Sequence, residues 1–289
     1  MSNSKNDQHK EADHSSKSRF YRAFFESLLG NDVKIYRGGP EAKHGVLVDV
    51  QSDYVALSAK HSVIYYQVEH IKSISVPTKP KPPHHQHDDL GEVELFSAKS
   101  FHKLLKKMEN QVIKLNQGGP ESIHGMLLSV RQGFVVVDSE DDGLVYVNPH
   151  HIKSVSLSSK EVMDRENMEE NMITADDLYD VLHHFENKWV SINRGGPEAI
   201  EGVLFLDDGY YKLTRNEEVI RVDPFHIRSV SSGPKGFMKK SQEEEKDENK
   251  KEEQDNGPMD RKRAKRKNRY SLEGKKKVKH GPLKKKRRR

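Results

Sequence analysis

The chain has 289 residues, with Lys+Arg 50 against Asp+Glu 45, no cysteine, and 33% hydrophobic residues beside 33% charged residues. This apolar fraction is too low for one large packed core, and the absence of cysteine excludes disulfides, cysteine-ligated zinc and thiol catalysis. No apolar run is long enough to span a membrane, and the first residues lack the apolar stretch of a signal peptide. We therefore expect small domains joined by disordered segments, in a cytoplasm-like space.

The chain begins with a polar segment, residues 1–17, which is predicted to be disordered. The sequence FYRAFFESLLG at residues 20–30 places apolar side chains on one helical face and ends at a glycine, so it predicts a short amphipathic helix. Five segments rich in Val, Ile and Tyr follow, and they alternate as strands do. These segments start at Val33, Gly45, Tyr54, Val63 and His70.

This order of one helix and about five strands recurs three times, in unit 1 (residues 18–76), unit 2 (residues 96–157) and unit 3 (residues 173–232). Rolling so small a sheet into a barrel buries one face and removes most open edges. The sequence therefore predicts a mainly β protein with short helices, of the α+β class. It would consist of three tandem Sm-like or SH3-like barrels, each with an N-terminal helix.

The motif Gly-Gly-Pro-Glu lies between the first two predicted strands of every unit. Glycine permits positive φ and proline restricts φ, so the motif favours a sharp structural turn. A shared ligand-binding loop is less favoured, because the motif lacks the features of a phosphate-binding loop. Arg37 and Arg194 precede the motif, but unit 2 has Gln117 there, so a basic ligand contact is not common to all units. The turn residues are Gly38, Gly39, Pro40, Glu41, Gly118, Gly119, Pro120, Glu121, Gly195, Gly196, Pro197 and Glu198.

A histidine opens the last predicted strand of each unit, at His70, His151 and His226. Each is followed by an apolar Ile and then by Lys or Arg. One histidine per unit in this setting favours a repeated packing or hydrogen-bonding role over a metal or proton-transfer site.

Two linkers separate the units. Residues 77–95 are rich in Pro and His and are predicted to be extended, whereas residues 158–172 are acidic. His84, His85 and His87 in the first linker are of a type that binds zinc, copper or nickel. A flexible linker does not preorganise such ligands, so we expect weak adventitious binding and predict no functional metal site.

Residues 233–289 form an acidic and then basic tail that is predicted to be disordered. Residues 261–289 hold 17 Lys/Arg and a single acid, Glu273, whereas the rest of the chain holds 33 Lys/Arg and 44 acids. Such a tail is expected to bind polyanions or to fold back on the acidic body. The polyanion-binding side chains are those of Arg261, Lys262, Arg263, Lys265, Arg266, Lys267, Lys284, Lys285, Lys286, Arg287, Arg288 and Arg289.

No catalytic motif is present: the sequence has no zinc-protease helix motif, nucleophile elbow, dinucleotide fingerprint or kinase signature. A triplicated architecture also multiplies contact surface more often than it multiplies active sites. The sequence therefore predicts a protein that is not an enzyme and needs no cofactor.

Several segments resemble the spore coat protein B family of Bacillus-type endospore formers: VKIYRGGPEAKHGVLVDV at 33–50, NQGGPESIHG at 116–125, KWVSINRGGPEAIEGVLF at 188–205, and the closing HIKSIS and FHIRSVS stretches. The resemblance covers about residues 18–240. It implies a structural component of the outer spore coat, synthesised in the mother-cell cytoplasm without a signal peptide. It also implies that the partners are other coat proteins and further copies of the chain.

Members of this family are similar in having a Ser/Lys/Arg-rich tail that a coat-associated kinase phosphorylates. This tail departs from that pattern, since Ser241 and Ser271 are its only serines after residue 240. Phosphorylation of Ser271 would add about two negative charges, too few to reverse the charge of residues 261–289.

A second hypothesis is an Sm-like nucleic-acid-binding protein, supported by the predicted barrel and the basic tail. It requires residues 1–242 to bind RNA alone. These residues carry 30 Lys/Arg against 35 acids, which is unfavourable for a polyanion ligand.

Overall fold

A computed structural model describes residues 21–60, 62–78, 95–158, 171–207, 210–236 and 238. Most of the regular secondary structure of these residues is β-strand, with few short helices. Residues 21–26 are helical, and two further helices are α1 (Phe101–Lys107) and α2 (Leu178–His184). The strands are β1 Asp32–Ile35, β2 Lys43–Val50, β3 Tyr54–Ala59, β4 Ser62–Gln67, β5 Ile74–Ser75, β6 Val112–Leu115, β7 Ile123–Val130, β8 Val135–Ser139, β9 Gly143–Val147, β10 Ser154–Leu157, β11 Trp189–Ile192, β12 Ile200–Asp207, β13 Tyr210–Arg215, β14 Glu218–Val222 and β15 Ser229–Ser232.

All fifteen strands of the described residues belong to one open antiparallel sheet, in the order β14-β13-β12-β11-β15-β9-β8-β7-β6-β10-β4-β3-β2-β1-β5. The sheet contains three blocks of five consecutive strands: the first group (β1–β5), the second group (β6–β10) and the third group (β11–β15). Each group has the same internal order, with its fifth strand beside its first and its fourth strand at the opposite edge.

The prediction of three closed Sm-like or SH3-like barrels, each with its own N-terminal helix, is wrong. A closed unit would satisfy the edge of its fourth strand internally. Here β4 pairs with β10 of the second group, where Tyr66 lies opposite Ser154, and β9 pairs with β15 of the third group, where Val147 lies opposite Ser229. We call these pairings the first and second junctions. Strand edges are thus covered by the next group rather than by closure.

Two local features recur at equivalent positions and set the path of the chain. Gly30, Asn110 and Asn187 follow the helical segments with positive φ, and their N–H groups donate to strand carbonyls at 2.7–2.8 Å. Glycine and asparagine are the residues that adopt this conformation most readily. A Cβ on Gly45 or Gly125 would lie 2.1 Å from a carbonyl oxygen of the adjacent strand, so only glycine permits this close approach.

The hydrophobic side chains form three clusters, and two of them span a junction. The first group has its own cluster around Val33, Leu57 and Tyr66. The second cluster joins α1 and β6–β10 to Tyr54 and Tyr65 on the outer face of β3 and β4. The third cluster joins α2 and β11–β15 to the outer face of β8 and β9 in the same way. As a result every residue of β3 and β8 is buried, whereas β13 is buried on alternate residues only.

Within the described ranges, none of the helices is long and apolar enough to cross a membrane.

Candidate functional site

The Gly-Gly-Pro-Glu loops lie at the junctions between strand groups. The structure places them between β1 and β2, between β6 and β7, and between β11 and β12. A Cβ on Gly118 would lie 3.2 Å from Cβ of Pro40, and a Cβ on Gly195 would lie 2.2 Å from the carbonyl oxygen of Pro120. The proline of one loop therefore packs on the glycines of the next loop.

The glutamate of the first loop holds the first junction together. Glu41 is 7% exposed, and its two carboxylate oxygens accept hydrogen bonds from the N–H of Gln117 at 2.8 Å and from the hydroxyl of Ser154 at 2.7 Å. Burying a carboxylate is costly unless such donors surround it. Burial and the nearby charge of Glu41 together raise the pKa of the Tyr36 hydroxyl to about 12, so this tyrosine stays neutral.

The glutamate of the second loop has a similar place at the second junction. Glu121 accepts a hydrogen bond from the ammonium of Lys153 at 2.6 Å, and its other oxygen is bound by the guanidinium of Arg228 in the third group. Burial raises the pKa of the Glu121 carboxyl, but the hydrogen bond and charge of Lys153, with the charge of Arg228, outweigh it and leave the pKa below its usual value. Glu198, the glutamate of the third loop, is exposed.

The recurring histidines also cross the junctions. The Nε2 atom of His70 lies 2.9 Å from the carbonyl oxygen of His150, and that of His151 lies 2.9 Å from the carbonyl oxygen of Phe225. A carbonyl only accepts, so each ring donates from Nε2. Burial lowers the pKa of His70, and this effect outweighs the opposing charge of Glu69. His226 is exposed.

Arg194 precedes the third loop and binds the β8–β9 turn of the second group. Its Nη1 atom donates to the hydroxyl of Ser139 at 3.2 Å, and its Nε and Nη2 atoms lie 2.5 Å and 3.5 Å from carboxylate oxygens of Asp142 and Asp141. Gln117, at the equivalent position, donates to the hydroxyl of Ser156 instead. Arg37, the first of the three, is exposed. The side chain before the loop therefore contacts a different partner at each junction.

Two tyrosines attach the segment that leads into each following helix. The hydroxyl of Tyr65 accepts the N–H of Phe96, and the hydroxyl of Tyr146 accepts the N–H of Ile173, each at 2.8 Å. The ring of Tyr146 also lies 5.9 Å from that of Phe185, at an edge-to-face angle of 74°. Burial raises the pKa of Tyr146, which favours the neutral hydroxyl. The equivalent residue of the third group is Arg221.

The Gly-Gly-Pro-Glu motifs and the recurring histidines stand out in the sequence, but their partners across the junctions were not predicted. One signal was available: positions that are apolar or aromatic in units 1 and 2 are charged in unit 3, as Arg221 replaces Tyr65 and Tyr146. A position that loses its apolar character in the last copy is typical of a contact with a following copy.

Several predicted residues lie outside the described part of the chain. These are the linker histidines His84, His85 and His87, the basic clusters of residues 261–289, and Ser271. Among the described residues, no group of three or more His, Asp or Glu side chains is arranged to hold a metal ion.

These contacts define a protein built as one antiparallel sheet from three five-stranded groups that meet edge to edge. No family model matches the chain. The chain is 44% identical over 236 residues to spore coat protein B of Bacillus subtilis (strain 168), a match that covers 81% of this chain. The resemblance to the spore coat protein B family predicted from the motifs is confirmed by this match.

The match covers 60% of the length of spore coat protein B, so the chain spans less than two thirds of that relative. A second relative is the uncharacterized protein YwrJ of the same organism, 25% identical over 131 residues, which cover 44% of this chain and 58% of YwrJ.

Proposed function

We propose that this chain is a non-enzymatic structural component of the bacterial endospore coat, located in its outer layers. The observation that carries the proposal is the 44% identity to spore coat protein B over 81% of the chain. The relative's name describes a coat constituent, which supports a structural role and a location on the spore.

The described surface is consistent with a protein that acts by contact. Large apolar side chains are exposed at both ends of the sheet order, among them Tyr21 and Phe24 before β1 and Tyr210 and Val219 on β13 and β14. Exposed apolar residues that lie together in one patch mark interaction surfaces. We therefore propose that other coat proteins and further copies of the chain are the partners.

The basic tail is proposed to add electrostatic contacts to these surfaces. Its 17 Lys/Arg within residues 261–289 favour anionic partners in the coat, and linked weak contacts raise avidity without a single tight site. A coat-associated kinase acting on Ser271 belongs to the same proposal, although one phosphate changes the charge of this tail little.

The nucleic-acid alternative loses part of its basis, because the sheet is open and no Sm-like barrel forms. Only the charge of the tail still favours it. A gel-shift comparison of the full chain with residues 1–242 at two salt concentrations tests it. RNA binding by residues 1–242 would support the alternative, whereas binding that disappears with the tail or with salt reflects charge attraction alone.

The decisive experiment for the coat proposal is imaging of a fluorescent fusion in sporulating Bacillus-type cells. We expect a shell around the forespore late in sporulation that persists on released spores. The control is the fluorescent protein alone under the same promoter, which should remain in the mother cell. A diffuse or nucleoid-coincident signal from the fusion would refute the coat role.

A further inference from the structure

The two ends of the sheet carry unused copies of the surfaces that form both junctions. We define the β14 end as β13, β14 and the Pro197–Glu198 loop tip, and the β5 end as residues 21–26, the Gly38–Gly39 loop and β5. We infer that the β14 end of one chain binds the β5 end of a second copy and continues the sheet. This deepens the proposed function by naming a partner surface, and it rests on that function for its biological setting.

Each end of the described sheet is a strand with a neighbour on one side only. Among the described strands, β14 has only β13 as a neighbour and β5 has only β1. Their counterparts β4 and β9 pair with β10 and β15. The strand β5 is two residues long, whereas β10 and β15, which are paired on both sides, have four residues each. An unpaired edge offers a row of free N–H and C=O groups to a further strand.

The junctions also fix the register of this pairing. Ser156 lies opposite Ile64 at the first junction, and Ser231 lies opposite Val145 at the second. The equivalent residues of the free edges are Ser75 on β5 and Ile220 on β14. Ser75 of one copy would therefore lie opposite Ile220 of another.

The β13–β14 hairpin has an exposed apolar face. At the junctions, Tyr54 and Phe134 are 0% and 1% exposed because the helix of the next group covers them. Tyr210 holds the same position in the third group and is 57% exposed. Val219, on the same hairpin, is 53% exposed, whereas its counterpart Val63 is buried. A helix of the next group thus covers this hairpin face in the first and second groups, and the same face is exposed in the third group.

The matching helix is found at the β5 end. Leu104 of α1 and Val181 of α2 are both 0% exposed, since each helix packs on the preceding group. Phe24 is the equivalent residue of the first helical segment and is 41% exposed. Tyr21 is also exposed, although its counterparts Phe101 and Leu178 are buried. The first group therefore presents an apolar helix face without a preceding group to cover it.

The Gly-Gly-Pro-Glu loops pack on one another in chain order. Pro40 and Pro120 each pack on the glycines of the next loop, and Glu41 is buried there, whereas Glu198 of the third loop is exposed. A Cβ on Gly38 or Gly39 would meet no atom of the described chain within 4 Å. Pro197 of one copy thus has a receiving site on the Gly38–Gly39 loop of another.

The charges at the two ends are complementary. Arg194 binds Asp141 and Asp142 in the turn of the preceding hairpin. The corresponding turn of the β13–β14 hairpin carries Glu217 and Glu218, and Arg37 is the exposed counterpart of Arg194. Gln117 is the equivalent residue of the second group. The preceding hairpin, β3–β4, has the basic Lys60 in its turn. Arg194 thus binds an acidic turn within the chain, and Arg37 would face the acidic Glu217–Glu218 turn of a second copy.

The proposed contact is more polar than the internal junctions. Lys212 and Arg221 hold positions at which the junctions have apolar or aromatic residues. We therefore expect an association that depends on protein concentration. The two surfaces differ from each other, so the contact is heterologous, and a pair of copies retains one free β14 end and one free β5 end to which further copies can bind.

The first test blocks each end in the full-length chain and follows the mass of the species formed by sedimentation velocity. Tyr210→Glu blocks the β14 end and Phe24→Glu blocks the β5 end. We expect the native chain to form concentration-dependent oligomers and each variant to remain monomeric. An equal mixture of the two variants should form dimers and nothing larger, because each variant retains the surface that the other lacks.

Tyr179→Glu is the matched control, since Tyr179 is a tyrosine of similar exposure, 54%, that lies outside both ends. This variant should assemble as the native chain does, and circular dichroism verifies the fold of all three variants. A native chain that is monomeric at every concentration would overturn the inference. So would oligomers that survive either blocking variant, or a mixture that forms no dimer.

A second test does not depend on blocking variants. The chain lacks cysteine, so a Ser75→Cys, Ile220→Cys double variant should form disulfide-linked oligomers on oxidation. The control pairs Ser75→Cys with Arg221→Cys, whose side chain points to the other face of the strand and should not cross-link. Equal cross-linking of the two variants, or none, would contradict the inferred register.

Both tests use purified protein, so their failure would leave the imaging result on the coat role intact. A failure of the imaging experiment would likewise leave the result on self-association intact.

Discussion

Ser154 donates a hydrogen bond to the carboxylate of Glu41 at 2.7 Å, across 113 positions of the chain. The bond joins the first loop to the second strand group, and it lies in a buried setting. Glu41→Ala would leave this hydroxyl and the N–H of Gln117 without their acceptor, which we expect to cost about 2 kcal/mol of unfolding free energy. Urea denaturation measures this loss.

Glu198→Ala is the matched control for that variant. Glu198 holds the same position in the third loop but is exposed, so its removal should change stability by less than about 0.5 kcal/mol. Equal effects of the two substitutions would show that the contacts of Glu41 do not stabilise the junction.

The close packing of Pro120 on Gly195 gives a second prediction. Gly195→Ala would place a Cβ 2.2 Å from the carbonyl oxygen of Pro120, so the loops must move apart at a cost of about 1–3 kcal/mol. In Gly38→Ala the new methyl group meets no described atom within 4 Å, and stability should stay the same or rise slightly. Thermal unfolding of both variants, below the concentration at which oligomers form, compares them. A stable Gly195→Ala variant would contradict the close packing.

The hydroxyl of Tyr146 gives a third prediction. Tyr146→Phe keeps the ring but removes the acceptor for the N–H of Ile173, so we expect a loss of about 1–2 kcal/mol in urea unfolding. Hydrogen exchange at Ile173 should become faster in this variant. Tyr210→Phe is the control, since Tyr210 is exposed and its hydroxyl should contribute little. The prediction fails if exchange at Ile173 does not change.

The partly buried histidine His70 predicts a dependence of stability on pH. Burial lowers the pKa of His70 in the folded chain, so the folded state takes up a proton less readily than the unfolded state. His70 therefore makes its full contribution to folding stability above its unfolded-state pKa of about 6.5. This contribution decreases as the pH falls through that value towards the lower pKa of the folded state. Unfolding measured between about pH 8 and pH 5 should show this decrease in the native chain.

His70→Gln retains an N–H donor but cannot titrate, so its stability should depend less on pH over the same range. His226→Gln serves as the control because His226 is exposed, and its profile should follow that of the native chain. Superimposable profiles for the native chain and His70→Gln would rule out a titrating contact at the first junction.

The basic tail gives a fifth prediction, which concerns spores rather than purified protein. Deletion of residues 243–289 should lower retention in the coat and raise the fraction extracted by salt, because the tail supplies 17 Lys/Arg within residues 261–289. Deletion of the acidic residues 243–255 alone is the control and should leave retention unchanged. Quantitative immunoblots of salt extracts measure both. Equal retention of the full chain and the tail deletion at low salt, where the charges are least screened, would remove the tail from the proposal.

The positions of many strands are predictable from the sequence, because the side-chain alternation that defines them is local. All five alternating segments of unit 1 overlap a strand of the first group. Which strand pairs with which is a long-range property, and it was predicted wrongly. Closure within a unit and pairing with the next unit cover the same edge, so the pattern around a single strand does not separate them.

One signal of the true pairing was nevertheless present. The run YVAL at 54–57 is apolar at four successive positions, whereas the equivalent YYKL at 210–213 is interrupted by Lys212. A strand that is apolar on both faces is typical of burial on both sides. The contacts of Glu41, His70 and Arg194 could not be derived in this way, because hydrogen-bond partners in different groups leave no periodic trace.

The position of α1 and α2 between two groups has a consequence for how the molecule loses its structure. Each helix contributes to the core of its own group and also covers the hairpin of the preceding group. Melting of one group would expose apolar surface on its neighbour, so the free energies of the groups are coupled as between nearest neighbours in a one-dimensional array. The sheet should therefore melt cooperatively across its junctions, and damage to one group should spread to the next.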